Sequence, residues 1–181
     1  VQVIARKEDA YALTRAKNHN IKGVYIGKKN YPVMSERTDA IIRALDEEKT
    51  DLVILAGYMS VLEPKLIEAY RNKIINIHPS LIPKYCGKGF YGHFVHEAVI
   101  AGGETESGAT VHFVDEGVDT GKILIQEKVP VLPDDTPFNR HVGIFGASGT
   151  RKSRGFVRPY LLQCIRRGES LVCTDPKGEH L

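Results

Sequence analysis

The chain has 181 residues, 42% of them hydrophobic and 26% charged, with a formal net charge of +3. That length suits one domain with a real core, and so small a charge excess gives no argument for a nucleic-acid partner. Most of the excess falls late, at Arg151, Lys152, Arg154, Arg158, Arg166 and Arg167, and reads as a solvated basic face.

In chain order, strands alternate with helices. Val1–Ala5 predicts a short strand, and Asp9 stands where it would cap a helix running to about Asn18, with Leu13 and Ala16 on its inner side. Gly23–Gly27 predicts the next strand. Ser35 is placed to cap a helix whose Ile41, Ile42 and Leu45 form an apolar stripe. The continuous apolar run 51–56 suits a central parallel strand covered on both faces. Pro64 fits the first turn of a helix to Tyr70. A strand through Ile74–His78 follows, then a Gly-rich loop from Cys86 to Gly92 and a helix over His93–Ala101. Strands are expected at Ala109–Val114 and Ile123–Val129. Alternation of this kind predicts an α/β fold with a mostly parallel sheet flanked by helices.

The polar groups of the fourth strand stand out. Asn76 and His78 are two residues apart, so a strand projects them from one face, and Pro79 and Pro83 force a loop directly after them. The end of a strand in an open α/β sheet is where such sheets bind ligands. A third group comes from Asp115-Glu-Gly-Val-Asp119-Thr-Gly121, a Gly-punctuated loop following another strand. If Asp119 approaches His78, its carboxylate orients the ring and raises its pKa toward neutrality. Asn76 would offer an N–H to a developing oxyanion. On spacing alone, a structural role for Asn76 and His78 in capping a loop fits equally. No Ser or Cys lies in a Gly-x-Ser-x-Gly elbow, so the set suits a reaction in which a bound substrate supplies the nucleophile.

Asn76-Ile-His78-Pro79-Ser80-Leu81-Ile82-Pro83, followed by Ser107-Gly-Ala-Thr-Val-His112-Phe-Val-Asp-Glu-Gly-Val-Asp119-Thr-Gly121, resembles the folate-dependent formyltransferases, and within them the phosphoribosylglycinamide branch. The resemblance covers roughly residues 1–137 and implies a three-layer, Rossmann-like formyltransferase fold. It implies transfer of a formyl group from 10-formyltetrahydrofolate to the amine of glycinamide ribonucleotide, with Asn76, His78 and Asp119 as catalytic residues and no metal. The segment Ala56–Leu62 is similar to the family's folate-binding turn, which assigns Met59, Ser60, Val61 and Leu62 to folate along with Asn76 and, more loosely, Arg37. Without the family, Met59, Val61 and Leu62 read as an ordinary hydrophobic connection from strand to helix. Gly57 and Pro79 are assigned to the ribonucleotide. Within the family, a tRNA-directed member carries a second domain for which no length remains, and a hydrolase has His-His-Ser where this chain has His78-Pro79-Ser80.

Two departures bear on function. The family opens with a strand and a Gly-rich loop at a helix N-terminus, a strong phosphate site. Here Val1–Arg15 resembles the second strand and helix, so that central strand and phosphate loop are expected to be missing and sheet edges to be exposed. After Pro137 the family has an amphipathic helix with an acid, whereas residues 138–155 hold four glycines and no acid appears before Glu169. Gly146–Ser153 fails the spacing of a nucleotide-binding phosphate loop. Residues 1–137 therefore read as the catalytic portion and 138–181 as a divergent segment of the same domain. The alternative to an active transferase is a truncated folate-binding remnant, or another 10-formyltetrahydrofolate-dependent transferase or hydrolase.

Other signals are negative. His93-x-x-His96 places two imidazoles on one helix face, and His78, His112 and Asp119 offer further donors, but no carboxylate sits at metal-site spacing. Cys86, Cys164 and Cys173 form no Cys-x-x-Cys pair, which suits a reducing cytoplasm. No apolar run approaches the ~18 residues of a membrane span, and no signal peptide is visible. The expected partners are small-molecule substrates, with a homodimer possible and neither nucleic acid nor membrane.

Overall fold

The computed structural model describes residues 1–132 and 171–174. Its elements are β1 (Gln2–Ala5), α1 (Tyr11–Asn18), β2 (Lys22–Tyr25), α2 (Met34–Glu47), β3 (Leu52–Ala56), α3 (Pro64–Ala69), β4 (Ile74–His78), α4 (His93–Ala101), β5 (Glu106–Phe113), β6 (Ile123–Pro130) and β7 (Leu171–Thr174). They divide into two compact units with the boundary inside β4, after Ile75. The predicted elements are all present, with ends shifted by one to three residues.

In the first unit the strand order is β2-β1-β7-β3, and every pairing within it is parallel. Val53, Ile54 and Leu55 of β3 are buried, as are Ile4 and Ala5 of β1, which is why these strands read as apolar runs. Helix α1 packs on β1 and β2 through Ala12 and Ala16, side chains small enough to let the helix lie close. Leu13 is only half-buried. Arg15 and Lys17 close the helix with positive charge, as its dipole favours. Helix α2 buries Ala40, Ala44 and Leu45, while Ile41 and Ile42 stay half-exposed. It is joined to α3 by the Thr38 hydroxyl donating to Glu63 and by the Tyr70 hydroxyl donating to Asp46 at 2.7 Å.

Three expectations are corrected here. The helix caps are not Asp9 and Ser35: α1 starts after Ala10 and α2 after Val33, neither with a side-chain cap. Ser35 lies inside the first turn, so local capping preference yielded to the position at which the apolar face meets the sheet. The slot between β1 and β3 is not an exposed edge, because β7 pairs in parallel with both. Val172 stands opposite Gln2 on one side and Val53 on the other.

In the second unit β4 neighbours β5, and β5 neighbours β6. β5 and β6 run antiparallel from Glu106↔Pro130 to His112↔Ile123, with a bulge between Val111 and His112. Ser107 to His112 are all buried, so β5 is covered on both faces. Helix α4 contributes Val95 and Val99 to the core. The divergent segment 138–155, the late basic cluster and Cys164 lie outside the described residues.

Candidate active site

β4 delivers its two polar groups as period-2 alternation requires. Ile74 and Ile75 anchor the strand in the interior, Asn76 is half-buried, and His78, the last residue of the strand, is 4% exposed. From β5, Thr110 and His112 share a face and are both buried. The Thr110 hydroxyl donates to the Ser80 carbonyl at 2.6 Å and accepts from the Ile82 N–H at 3.1 Å. That pins the chain leaving β4 onto β5.

Asp119 arrives on the loop after β5. This loop closes tightly: the Phe113 N–H donates to the Lys122 carbonyl at 2.9 Å, and Thr120 Oγ1 donates to Asp115 Oδ1 at 2.5 Å. Asp119 itself has φ of 57°, the left-handed region that Asp tolerates better than most residues. A Cβ on Gly121 would lie 1.8 Å from the Phe113 carbonyl oxygen. Only glycine permits that closure.

Four side chains meet as a result. Asp119 Oδ2 is 3.4 Å from His78 Nδ1, and Oδ1 is 3.5 Å from His112 Nε2. Asn76 Nδ2 is 3.2 Å from His112 Nε2. Both imidazoles are oriented by backbone carbonyls: His78 Nε2 donates to Tyr85 O at 2.8 Å, and His112 Nδ1 to Phe113 O at 2.8 Å. Gly87 N–H donates to Asp119 Oδ2 at 2.9 Å.

These contacts decide the charges. Burial is the largest influence on His78 and holds its pKa below the ordinary imidazole value, outweighing the Tyr85 carbonyl and Asp119, which push it up. The expectation that Asp119 would raise the His78 pKa is thus corrected: the carboxylate acts in that direction, and desolvation wins. For Asp119, burial pushes upward, but the His112 hydrogen bond, the Gly87 N–H and both imidazoles hold the carboxyl below its usual value. At neutral pH the site holds a carboxylate facing a neutral His78.

Sequence reasoning grouped Asn76, His78 and Asp119 and named His112 only as a possible metal donor, not as a member of that set. Its signal was present: Thr110 and His112 are polar residues two apart, alternating with Ala109, Val111 and Phe113 along β5. The Tyr85 carbonyl and Gly87 N–H carried no signal, since backbone groups do not depend on residue identity. His93 and His96 do not join the site; His93 lies within 3.9 Å of Glu97, and His96 is buried on α4. Among the described residues no group of three or more His, Cys, Asp or Glu side chains is arranged to hold a metal ion, and no helix is long and apolar enough to cross a membrane.

The first unit holds the other candidates. Met59 and Val61, in the connection between β3 and α3, are 48% and 63% exposed. Leu62 is buried and belongs to the core. Ser60 Oγ accepts a hydrogen bond from Arg6, whose guanidinium also sits 5.6 Å over the Tyr58 ring. Gly57 adopts φ of 61°, and in the second unit Pro79 is half-buried beside His78. Arg37 is 7% exposed, and its guanidinium donates to the Tyr31 carbonyl at 2.9 and 3.2 Å and to the Pro32 carbonyl at 3.3 Å. It lies in the wall of a cavity of about 600 Å³ that Arg6, Lys28, Lys29 and Ser60 also line.

The α/β fold is shared with solved phosphoribosylglycinamide formyltransferases, and the chain belongs to the formyl transferase family, whose model matches residues 1–140. Within that family it is similar to the phosphoribosylglycinamide formyltransferase of Haemophilus influenzae, 46% identical over 134 residues, which are 74% of this chain and 61% of the relative. It is 42% identical over 135 residues to a trifunctional purine biosynthetic protein of Drosophila melanogaster, covering 75% of this chain and 10% of that protein. The solved phosphoribosylglycinamide formyltransferase of Streptococcus pneumoniae superposes with a TM-score of 0.75 at 32% identity, covering 92% of this chain and 86% of that one. The chain thus spans less than two thirds of the length of these two curated relatives.

Proposed function

We propose that this chain transfers a formyl group from 10-formyltetrahydrofolate to the amine of glycinamide ribonucleotide, with Asn76, His78 and Asp119 acting on the reacting atoms. The observation that supports this most is the buried meeting of Asn76, His78, His112 and Asp119, with both rings held by backbone carbonyls. The names carried by the relatives point the same way.

The folate supplies an activated formyl carbon, so the substrate amine attacks directly and no protein nucleophile is required. The protein must then place the amine, stabilise the oxygen as it gains charge and move one proton. Asn76 has two amide N–H groups; the contact with His112 fixes the amide plane and leaves the second N–H for the oxyanion, worth about 10²–10³ in kcat. Neutral His78 takes the proton released by the attacking amine, at Nδ1, and the Asp119 carboxylate stabilises the imidazolium so formed. The proton then passes to the departing folate nitrogen as its bond to the formyl carbon breaks. Such a shuttle contributes about 10²–10⁴-fold.

On this reading Met59 and Val61 offer apolar surface to the folate ring system, Ser60 offers a polar atom and Leu62 supports the turn from the core. Arg37 adds positive charge to the wall of its cavity. Gly57 and Pro79 contact the ribonucleotide.

The test is His78→Ala in a formyl-transfer assay beside a folate titration. Turnover is expected to fall by at least about 10² while the folate Kd stays within about twofold. Unchanged turnover would overturn the assignment. A parallel titration with glycinamide ribonucleotide separates a transferase, which binds both ligands, from a folate-binding remnant, which binds one.

A further inference from the structure

The two backbone groups that hold the His78 and Asp119 pair lie two residues apart. Tyr85 supplies the carbonyl that receives His78 Nε2–H, and Gly87 supplies the N–H that reaches Asp119. A loop of this kind does not hold such a position unaided, and the structure shows what fixes it. The Tyr85 hydroxyl donates to Glu104 Oε1 at 2.9 Å, and Lys84 Nζ reaches both oxygens of the same carboxylate at 2.8 and 3.0 Å. The fully buried Ser80 hydroxyl donates to the Lys84 carbonyl at 2.7 Å.

Further features bear on the same loop. Tyr85 has φ of 53°, a conformation that tyrosine adopts only when its surroundings impose it. Its phenol passes over Gly102, where a Cβ would stand 2.1 Å from the hydroxyl oxygen. The ring also meets Phe90 edge-on, with centroids 6.1 Å apart. The ion pair and hydrogen bond lower the Glu104 pKa and raise those of Lys84 and Tyr85, so Glu104 stays a carboxylate over the working range.

We infer that Glu104, through Tyr85 and Lys84, is a positioning residue for the reaction: it anchors the 84–87 loop so that the Tyr85 carbonyl selects the Nε2–H form of His78 and leaves Nδ1 open toward Asp119. This rests on the reading of His78 and Asp119 as the reacting pair. The chemistry is specific. A neutral imidazole beside a carboxylate prefers to place its proton toward that carboxylate, which would block Nδ1 as an acceptor. The Tyr85 carbonyl holds the proton at the far nitrogen instead.

The experiment is histidine-selective ¹⁵N NMR on the whole chain, at a pH where the ring is neutral, comparing wild type with Tyr85→Phe, Glu104→Ala and Glu104→Gln. In the wild type the His78 shifts report the Nε2–H tautomer. Tyr85→Phe and Glu104→Ala are expected to move His78 toward the Nδ1–H tautomer, and Glu104→Gln, which still accepts from the Tyr85 hydroxyl, to retain more of the wild-type form. His93, on the exposed side of α4, should not change. In the transfer assay, kcat for Tyr85→Phe is expected to fall roughly tenfold with KM for folate unchanged. An unaltered His78 tautomer in both Tyr85→Phe and Glu104→Ala overturns the inference. Should the wild type transfer no formyl group, the formyl-transfer reading fails, and the tautomer result still decides whether Glu104 positions His78.

Discussion

At His78 opposing influences meet. Burial disfavours its charged form, a carbonyl and a carboxylate favour it, and the net shift is downward. An unfolded chain frees the ring from burial, so in the ordinary imidazole range it binds a proton that the folded protein refuses. Stability should therefore decline as pH falls through that range, and the loss ends only below the depressed folded value. Asp119, also shifted down, adds a loss in the same direction at lower pH, as the native carboxylate is finally protonated. Thermal melts between neutral and mildly acidic pH are expected to show a falling midpoint in the wild type and a flatter one in His78→Gln. An equally steep decline in both would show that His78 is not the group responsible. That Asn76 and His78 share a face was legible from strand alternation, whereas the approach of Asp119 was only a condition in the loop sequence and came from the family resemblance. Arg37 was less legible, since nothing in the sequence says that its donors are taken by the Tyr31 and Pro32 carbonyls.

At the scale of elements, the loop after β5 decides whether a carboxylate reaches the imidazoles. Gly121 makes its closure possible, and the methyl of Gly121→Ala would collide with backbone rather than with a yielding side chain. Overpacking of this kind typically costs about 1–3 kcal/mol. A urea titration is expected to show that loss, together with turnover reduced well beyond what the stability change explains, because Asp119 sits two residues before the displaced point. Full activity in Gly121→Ala would mean that the loop adapts without moving its carboxylate. The strands and helices themselves were readable from periodicity. The caps were not, because Asp9 and Ser35 satisfy the local rule while Ala10 and Val33 stand where packing starts the helices.

For the molecule as a whole, the least legible feature is β7. Leu171–Thr174 is apolar and β-prone, but four such residues do not specify a place between β1 and β3. Val172 stands opposite residues of both neighbours, so Val172→Pro would remove a donor from the middle of a parallel sheet, where proline is scarcely found. A loss of about 3 kcal/mol is expected, seen as a melting midpoint lower by roughly 6–12 °C. An unchanged midpoint would show that the sheet of the first unit does not depend on that strand.

The position of β7 also sets an order in time. β1, β2 and β3 are all complete by residue 56, whereas the strand between β1 and β3 begins at residue 171. Contacts so distant along the chain form slowly. During synthesis, three finished strands wait for a fourth that emerges much later, with the flanks of β1 and β3 open in the meantime. Chaperone demand and sensitivity to aggregation in this protein should therefore be set in that interval, before β7 arrives.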